Sequence, residues 1–197
     1  MSAQTPNKYT PEEYLELERE ATYKSEYYRG EIFAMAGAGR NHNRIVANLT
    51  GECYIHLKGK LCRTYSSDQR IHIPENGLYT YPDLLAVCGR DQLLDEHKDT
   101  ILNPRLIVEV LSESTEAYDR GEKFRLYRSI PTLQEYVLID SLRVAAEVFR
   151  KNEEGLWTLA SEAFDGESAI EMTSIGLTLP LRTVYDQTEG LLAEVAG

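Results

Sequence analysis

Apolar side chains recur at four-residue spacing from Ile45 through Leu49 and Cys53 to Leu57. The polar positions between them predict an amphipathic helix over about residues 41–58, its stripe facing a sheet. A shorter helix is predicted over about residues 11–20, because Thr10 can cap it, Pro11 suits the first helical position and Glu13 closes a capping box. Between the two, YKSEYYRGEIFAMAG (residues 23–37) holds two strand-like runs about Arg29-Gly30. That predicts a hairpin, since glycine takes the positive φ such turns require. A loop with Gly37 and Gly39 then leads into the second helix.

Residues 62–73 read as one or two strands, PENG at 74–77 as a turn, and YTYPDLLAVC as the start of another strand. A polar loop over 89–103 precedes LIVEVL, a run of the kind buried on both faces. A helix is predicted over about 115–129, with Phe124, Tyr127 and Ile130 as core residues and Pro131 as its stop. EYVLID, AAEVFR and LWTLA read as strands, the last two joined by NEEG, and one more helix is predicted near 184–193. Residues 1–8 are polar and expected to be disordered, leaving 9–197 as one domain, since 42% apolar residues in 197 suit a single core. Few βαβ connections and several hairpins favour a mixed α/β (α+β) class: a central mixed sheet flanked by helices.

Glu109 interrupts the apolar run LIVEVL. A lone carboxylate in a dry strand costs several kcal/mol, so it must be neutral, paired, hydrogen-bonded or metal-bound. Arg105 and Arg120 are the candidate ion-pair partners, and pairing and metal binding weigh about evenly on this run alone. Asp83 opens another apolar strand directly after Pro82, where the missing N–H leaves pairing locally absent and lets the side chain face a cleft. Two acids on adjacent strand ends suit Mg²⁺ or Mn²⁺, hard ions that prefer carboxylates and water. Lys123, beside Phe124 and four positions from both Asp119 and Tyr127, is either a helix-surface partner of Asp119 or a positive charge beside a metal.

Pro82-Asp83 followed by Glu109-Val110-Leu111 resembles the signature of the PD-(D/E)XK nuclease superfamily. SEYYRGEIFAMAG, NHNRIVANL, YPDLLAV, RLIVEVLSEST and DRGEKFRLYRSIPTLQEYVLID, in this order, resemble the Uma-type family of bacterial restriction endonucleases over roughly residues 9–185. The resemblance implies a restriction-endonuclease-like fold and a divalent-metal-dependent DNA endonuclease. Its Mg²⁺ or Mn²⁺ would be held by Asp83, Glu109, the carbonyl of Val110 and an additional acid of the N-terminal hairpin. Of Glu26 and Glu31, the one after Gly30 matches the family's Gly-Glu pair, so Glu31 is favoured. Leu111 stands where the superfamily signature has lysine, and the resemblance moves that role to Lys123. His42 matches a histidine of the family pattern, as a phosphate contact, a proton carrier or a capping residue.

Charge tempers this. Thirty-two acidic against 21 basic side chains give −11 at pH 7, so no protein-wide positive field draws a polyanion. Local cations occur at Arg40 and Arg44, at Lys58, Lys60 and Arg63, and at Arg120, Lys123, Arg125 and Arg128, any of which can equally be solvated helix faces. The alternatives are a non-catalytic binding or dimeric protein on the same fold, and a glycosidase, which a single tryptophan, Trp157, does not favour. A homodimer is expected, because cutting both strands of a duplex calls for two symmetric sites. Three cysteines, 53, 62 and 88, lack zinc-site spacing, and no secretory signal or apolar span is evident, which predicts a reduced, cytoplasmic protein without membrane contact.

Overall fold

The computed structural model describes residues 8–192. The expected disordered segment at 1–8 therefore lies, except for Lys8, outside the described residues.

Helix α1 (Pro11–Glu20) begins with the capping box: the Thr10 hydroxyl accepts from Glu13 N and the Glu13 carboxylate accepts from Thr10 N. Strands β1 (Ser25–Tyr28) and β2 (Glu31–Ala34) form the hairpin, with Arg29 at φ 51° and Gly30 at φ 91°. Positive φ at both central residues matches the twist of the strands they join. Helix α2 (Arg40–Leu57) buries Ile45, Leu49, Cys53 and Leu57, the four residues of the sequence stripe.

The next stretch forms β3 (Cys62–Ser66), β4 (Arg70–Ile73), β5 (Leu78–Thr80) and β6 (Leu84–Cys88). The strand expected from Tyr79 onward is thus two strands. Pro82 has no N–H with which to continue a ladder, and the chain crosses there from one sheet to the other. The polar loop contains a short strand, β7 (Thr100–Ile101), and β8 (Leu106–Leu111) follows. The helix expected over 115–129 is interrupted: α3 (Glu116–Tyr118) and α4 (Phe124–Tyr127) flank a π-helical turn, Asp119–Lys123. Such turns shift the phase of the side chains after them and concentrate at functional sites.

Strands β9 (Glu135–Asp140), β10 (Ala146–Lys151) and β11 (Trp157–Ala163) match the reading, whereas β12 (Ala169–Met172) and β13 (Leu177–Pro180) were not foreseen. The last described helix, α5, spans Leu181–Val184, so the helix expected near 184–193 is corrected to a shorter, earlier one. The chain turns at Gln187 and Gly190, both at positive φ, and residue 193 lies outside the described residues.

A six-stranded sheet in the order β11-β10-β9-β8-β6-β3 forms the centre. It is mixed: β8 and β9 are parallel and the other pairs antiparallel. A five-stranded sheet, β2-β1-β5-β4-β7, and the β12-β13 hairpin accompany it. Alternation along β8 sends Leu106, Val108 and Val110 into the core beneath α2, β12-β13 and α5. Ile107 and Leu111 face the other way, toward α4 and the smaller sheet. Glu109 shares the second face, so it lies between the layers.

Cys62 and Cys88 stand directly opposite each other on β3 and β6 and are joined by a disulfide. This departs from the all-reduced expectation, because a separation of 26 residues conceals a pairing that only strand register reveals. Cys53 is free and buried, and burial pushes its thiol up to about 12. Among the described residues no helix is long and apolar enough to cross a membrane.

Candidate active site

Pro82 ends pairing ahead of β6, and the ladder between β6 and β8 covers only Leu84–Ala86 against Leu106–Val108. Beyond it, the edge of β8 at Val110 has no strand partner on that side, and Asp83 takes its place. Asp83 Oδ2 accepts from Val110 N at 2.8 Å, while Asp83 N donates to Glu109 Oε2 at 3.3 Å. The N–H and C=O of one strand residue point the same way, so the Val110 carbonyl also faces this gap.

Glu109 is 3% exposed. Its Oε1 accepts from the Tyr127 hydroxyl at 2.7 Å and lies 3.0 Å from Lys123 Nζ. The expected arginine partners are engaged elsewhere, Arg105 with Ser174 and Arg120 with Glu116 and Glu147. The partner is Lys123, 5% exposed, which the π turn directs inward and which also lies 3.3 Å from Glu26 and 3.4 Å from Asp119.

Glu26 is the hairpin acid that arrives. It sits on β1 between two neighbouring strands, accepts from the Thr80 hydroxyl, and receives the Tyr118 hydroxyl at 3.3 Å. Glu31 shares that face of the hairpin but lies at the turn on the edge strand, opposite Tyr28, and is exposed. The structure does not bring Glu31 to Lys123. Glu26 is covered because β1 lies inside its sheet, which strand order reveals and local sequence does not. His42, in the first turn of α2, places Nε2 3.2 Å from Asp83 Oδ2, and its Nδ1 is buried without a partner. Nε2 facing a carboxylate assigns the proton to Nε2. Asp83, Glu109, Lys123 and His42 are thus brought together, and Asp119, Tyr118, Tyr127 and Glu26 join them.

The electrostatics are lopsided. Burial pushes Glu109 up to about 8; Lys123 offsets this in part, and the carboxylates of Asp119 and Asp83 add to it. Burial also raises Asp119, against Lys123. For Lys123 burial alone would lower the amine, but Glu109, Tyr127, Glu26 and Asp119 outweigh it and hold it well above the ordinary lysine range. Lys123 therefore stays charged at neutral pH, as a fixed cation and not a base.

The donor set suits a hard divalent ion: Asp83, Glu109 and the Val110 carbonyl offer oxygens around an excess of negative charge. Among the described residues, no three His, Cys, Asp or Glu side chains are already arranged as a metal cage. Any such ion would be held by two carboxylates, the carbonyl and solvent.

Comparison with known proteins bears on the family and the fold. The model of the Uma2 family, described as "Putative restriction endonuclease", matches residues 11–182. Two uncharacterized proteins of Synechocystis sp. are similar. The chain is 40% identical to slr1290 over 179 residues, covering 90% of this chain and 92% of that protein. It is 39% identical to sll1609 over 150 residues, covering 76% and 85%. A crystal structure from Anabaena variabilis, described as "a putative nuclease belonging to DUF820", superposes with a TM-score of 0.71 at 17% identity, over 88% of this chain and 96% of that one. At that identity the likeness establishes a shared nuclease-like fold.

Proposed function

This chain belongs to the Uma2 family of restriction-endonuclease-like proteins, and from that premise we propose that it is a divalent-metal-dependent DNA endonuclease centred on Asp83, Glu109 and Lys123. The observation that carries the reading is the junction of β6 and β8. Asp83 and Glu109, 26 residues apart, are locked together by backbone donors with the Lys123 ammonium 3.0 Å from Glu109.

Mg²⁺ or Mn²⁺ would be held by Asp83, Glu109 and the Val110 carbonyl, where it supplies Lewis acidity and a more acidic water. The chain's own residues set the remaining conditions. Tyr127 and Lys123 fix one oxygen of Glu109, and Asp83 N–H fixes the other. His42 and Val110 N–H orient Asp83 through a single oxygen. Glu26 and Asp119 hold the Lys123 ammonium, whose fixed positive charge stabilises negative charge growing on phosphoryl oxygens as water attacks phosphorus and the P–O bond to the leaving alkoxide breaks. His42 stands at the border of the cluster, where a phosphate contact or proton transfer to the leaving oxygen is within its chemistry.

A binding protein on the same fold is the second reading. It is favoured by Lys123 being engaged by three carboxylates and by the net charge of −11. Nicking of supercoiled plasmid separates the two. The nuclease reading expects Mg²⁺-dependent relaxation that stops in EDTA and falls at least a hundredfold in Asp83→Asn. Relaxation at the wild-type rate in that variant, or none in the wild type with either ion, supports the alternative.

A further inference from the structure

Two aromatic rings stand beside the acidic cluster on separate elements. Phe33 lies directly opposite Glu26 in the β1–β2 ladder. Opposed residues of an antiparallel pair carry their side chains on one face, Cβ atoms about 5 Å apart. Tyr118, the last residue of α3, gives its hydroxyl to Glu26 and sets its ring 5.9 Å from Lys123 Nζ. Both remain open to solvent, Phe33 at 49% and Tyr118 at 36%, and neither belongs to the apolar cores among the described residues. Their exposure is therefore not explained by packing.

The surrounding charge narrows what such rings could receive. Arg40, Arg63, Arg120 and Arg125 are each paired with a carboxylate of this chain, and Lys123 is shared among three. These pairings and the net charge of −11 weaken the hold on two phosphate backbones, which is how duplex binders gain affinity. Aromatic rings engage bases by stacking, which needs a free base face. In a duplex those faces are covered by neighbouring base pairs.

Resting on the nuclease reading above, we propose that Phe33 and Tyr118 form a stacking platform for an unpaired base, and that the substrate class of this site is single-stranded DNA rather than intact duplex. The platform would hold the strand by its bases while its phosphate lies toward Lys123 and His42. One strand needs one active centre per cut, so this substrate imposes no requirement for two symmetric sites.

The test uses the full chain in Mg²⁺ with a phosphorothioate-linked oligonucleotide carrying 2-aminopurine, as a single strand and as the matching duplex. The expected result is quenching by the single strand with at least tenfold tighter binding than the duplex. Phe33→Ala and Tyr118→Ala each weaken single-strand binding about tenfold, while Tyr118→Phe, which keeps the ring, retains it. Phe33→Leu, which keeps apolar bulk at an exposed position, should lose affinity as Phe33→Ala does, separating stacking from folding. Equal affinity for the two DNA forms, or alanine variants that bind the single strand as wild type does, overturns the platform. Cleavage of ordinary oligonucleotides is measured in parallel. No cutting with the binding pattern intact sinks the nuclease reading and leaves the platform standing. Equal cutting of both forms without ring dependence does the reverse.

Discussion

Glu109 and Glu135 are buried on neighbouring parallel strands of the same sheet, yet their surroundings treat the carboxylate in opposite ways. Glu135 receives Thr173 N at 3.0 Å, the Thr173 hydroxyl at 2.8 Å, Ser174 N at 2.7 Å and Arg150 Nε at 2.7 Å. Burial pushes its carboxyl up, but those donors outweigh it and hold it below the usual range. Glu109 has one hydroxyl, one long backbone contact and a lysine that it shares with two other acids. Its carboxyl rises to about 8. Burial of an acid does not by itself mark a functional site. The mark is an acid left short of donors among like charges, where a bound cation would complete the set.

Removing the shared cation should widen the contrast most. Lys123→Ala leaves Glu26, Glu109 and Asp119 facing one another, and unpairing a buried ion pair costs about 3–5 kcal/mol. Urea denaturation at pH 8 should show that loss, and much of it should return at pH 5 as the carboxyls take up protons. A metal-free Lys123→Ala variant as stable as wild type at pH 8 would mean the acids are not in mutual repulsion.

The pH profile of the metal-free wild type comes next. The folded carboxyl of Glu109 is raised above its ordinary value, so the protein binds this proton more tightly than the unfolded chain does. The resulting stability is complete below about pH 4.5 and is lost as pH rises through about 8. Glu109→Gln should flatten that decline, as measured by denaturation from pH 5 to 9. Glu135 has the opposite sign: its lowered carboxyl contributes stability above about pH 4.5 that is lost as pH falls further. Accordingly Glu135→Gln, which leaves Arg150 with a neutral partner, should lower stability by about 2–3 kcal/mol at neutral pH while plasmid relaxation per folded molecule is unchanged. The smallest effect is expected for Tyr127→Phe, about 1 kcal/mol, with the Glu109 carboxyl moving further up, readable by carboxyl NMR.

Local pattern made much of this fold legible. The capping box, the four-residue stripe of α2 and the turn at Arg29-Gly30 each depend on residues close in sequence, and each stands as read. What escaped depends on register or on competition between elements. Pro82 splits one apparent strand between two sheets, and Cys62 meets Cys88 only through their ladder. The β12-β13 hairpin was missed although its strands are as long as those of β1-β2. In the site, Asp83 and Glu109 were conspicuous because each breaks an apolar pattern. The π turn that buries Lys123 leaves no mark in hydrophobic spacing. Glu31 was favoured over Glu26 for its match to a Gly-Glu pair; the two share a face of the hairpin, and only strand order shows which of them is covered.

The claim at the centre is that the Glu109 cluster, unlike Glu135, takes up a divalent ion. Isothermal calorimetry with Mn²⁺ at pH 8 reads it directly. Wild type and Glu135→Gln should show the same saturable uptake, and Asp83→Asn and Glu109→Gln should show it weakened at least tenfold. Undiminished uptake in Glu109→Gln, or no heat of binding in the wild type, would contradict the account.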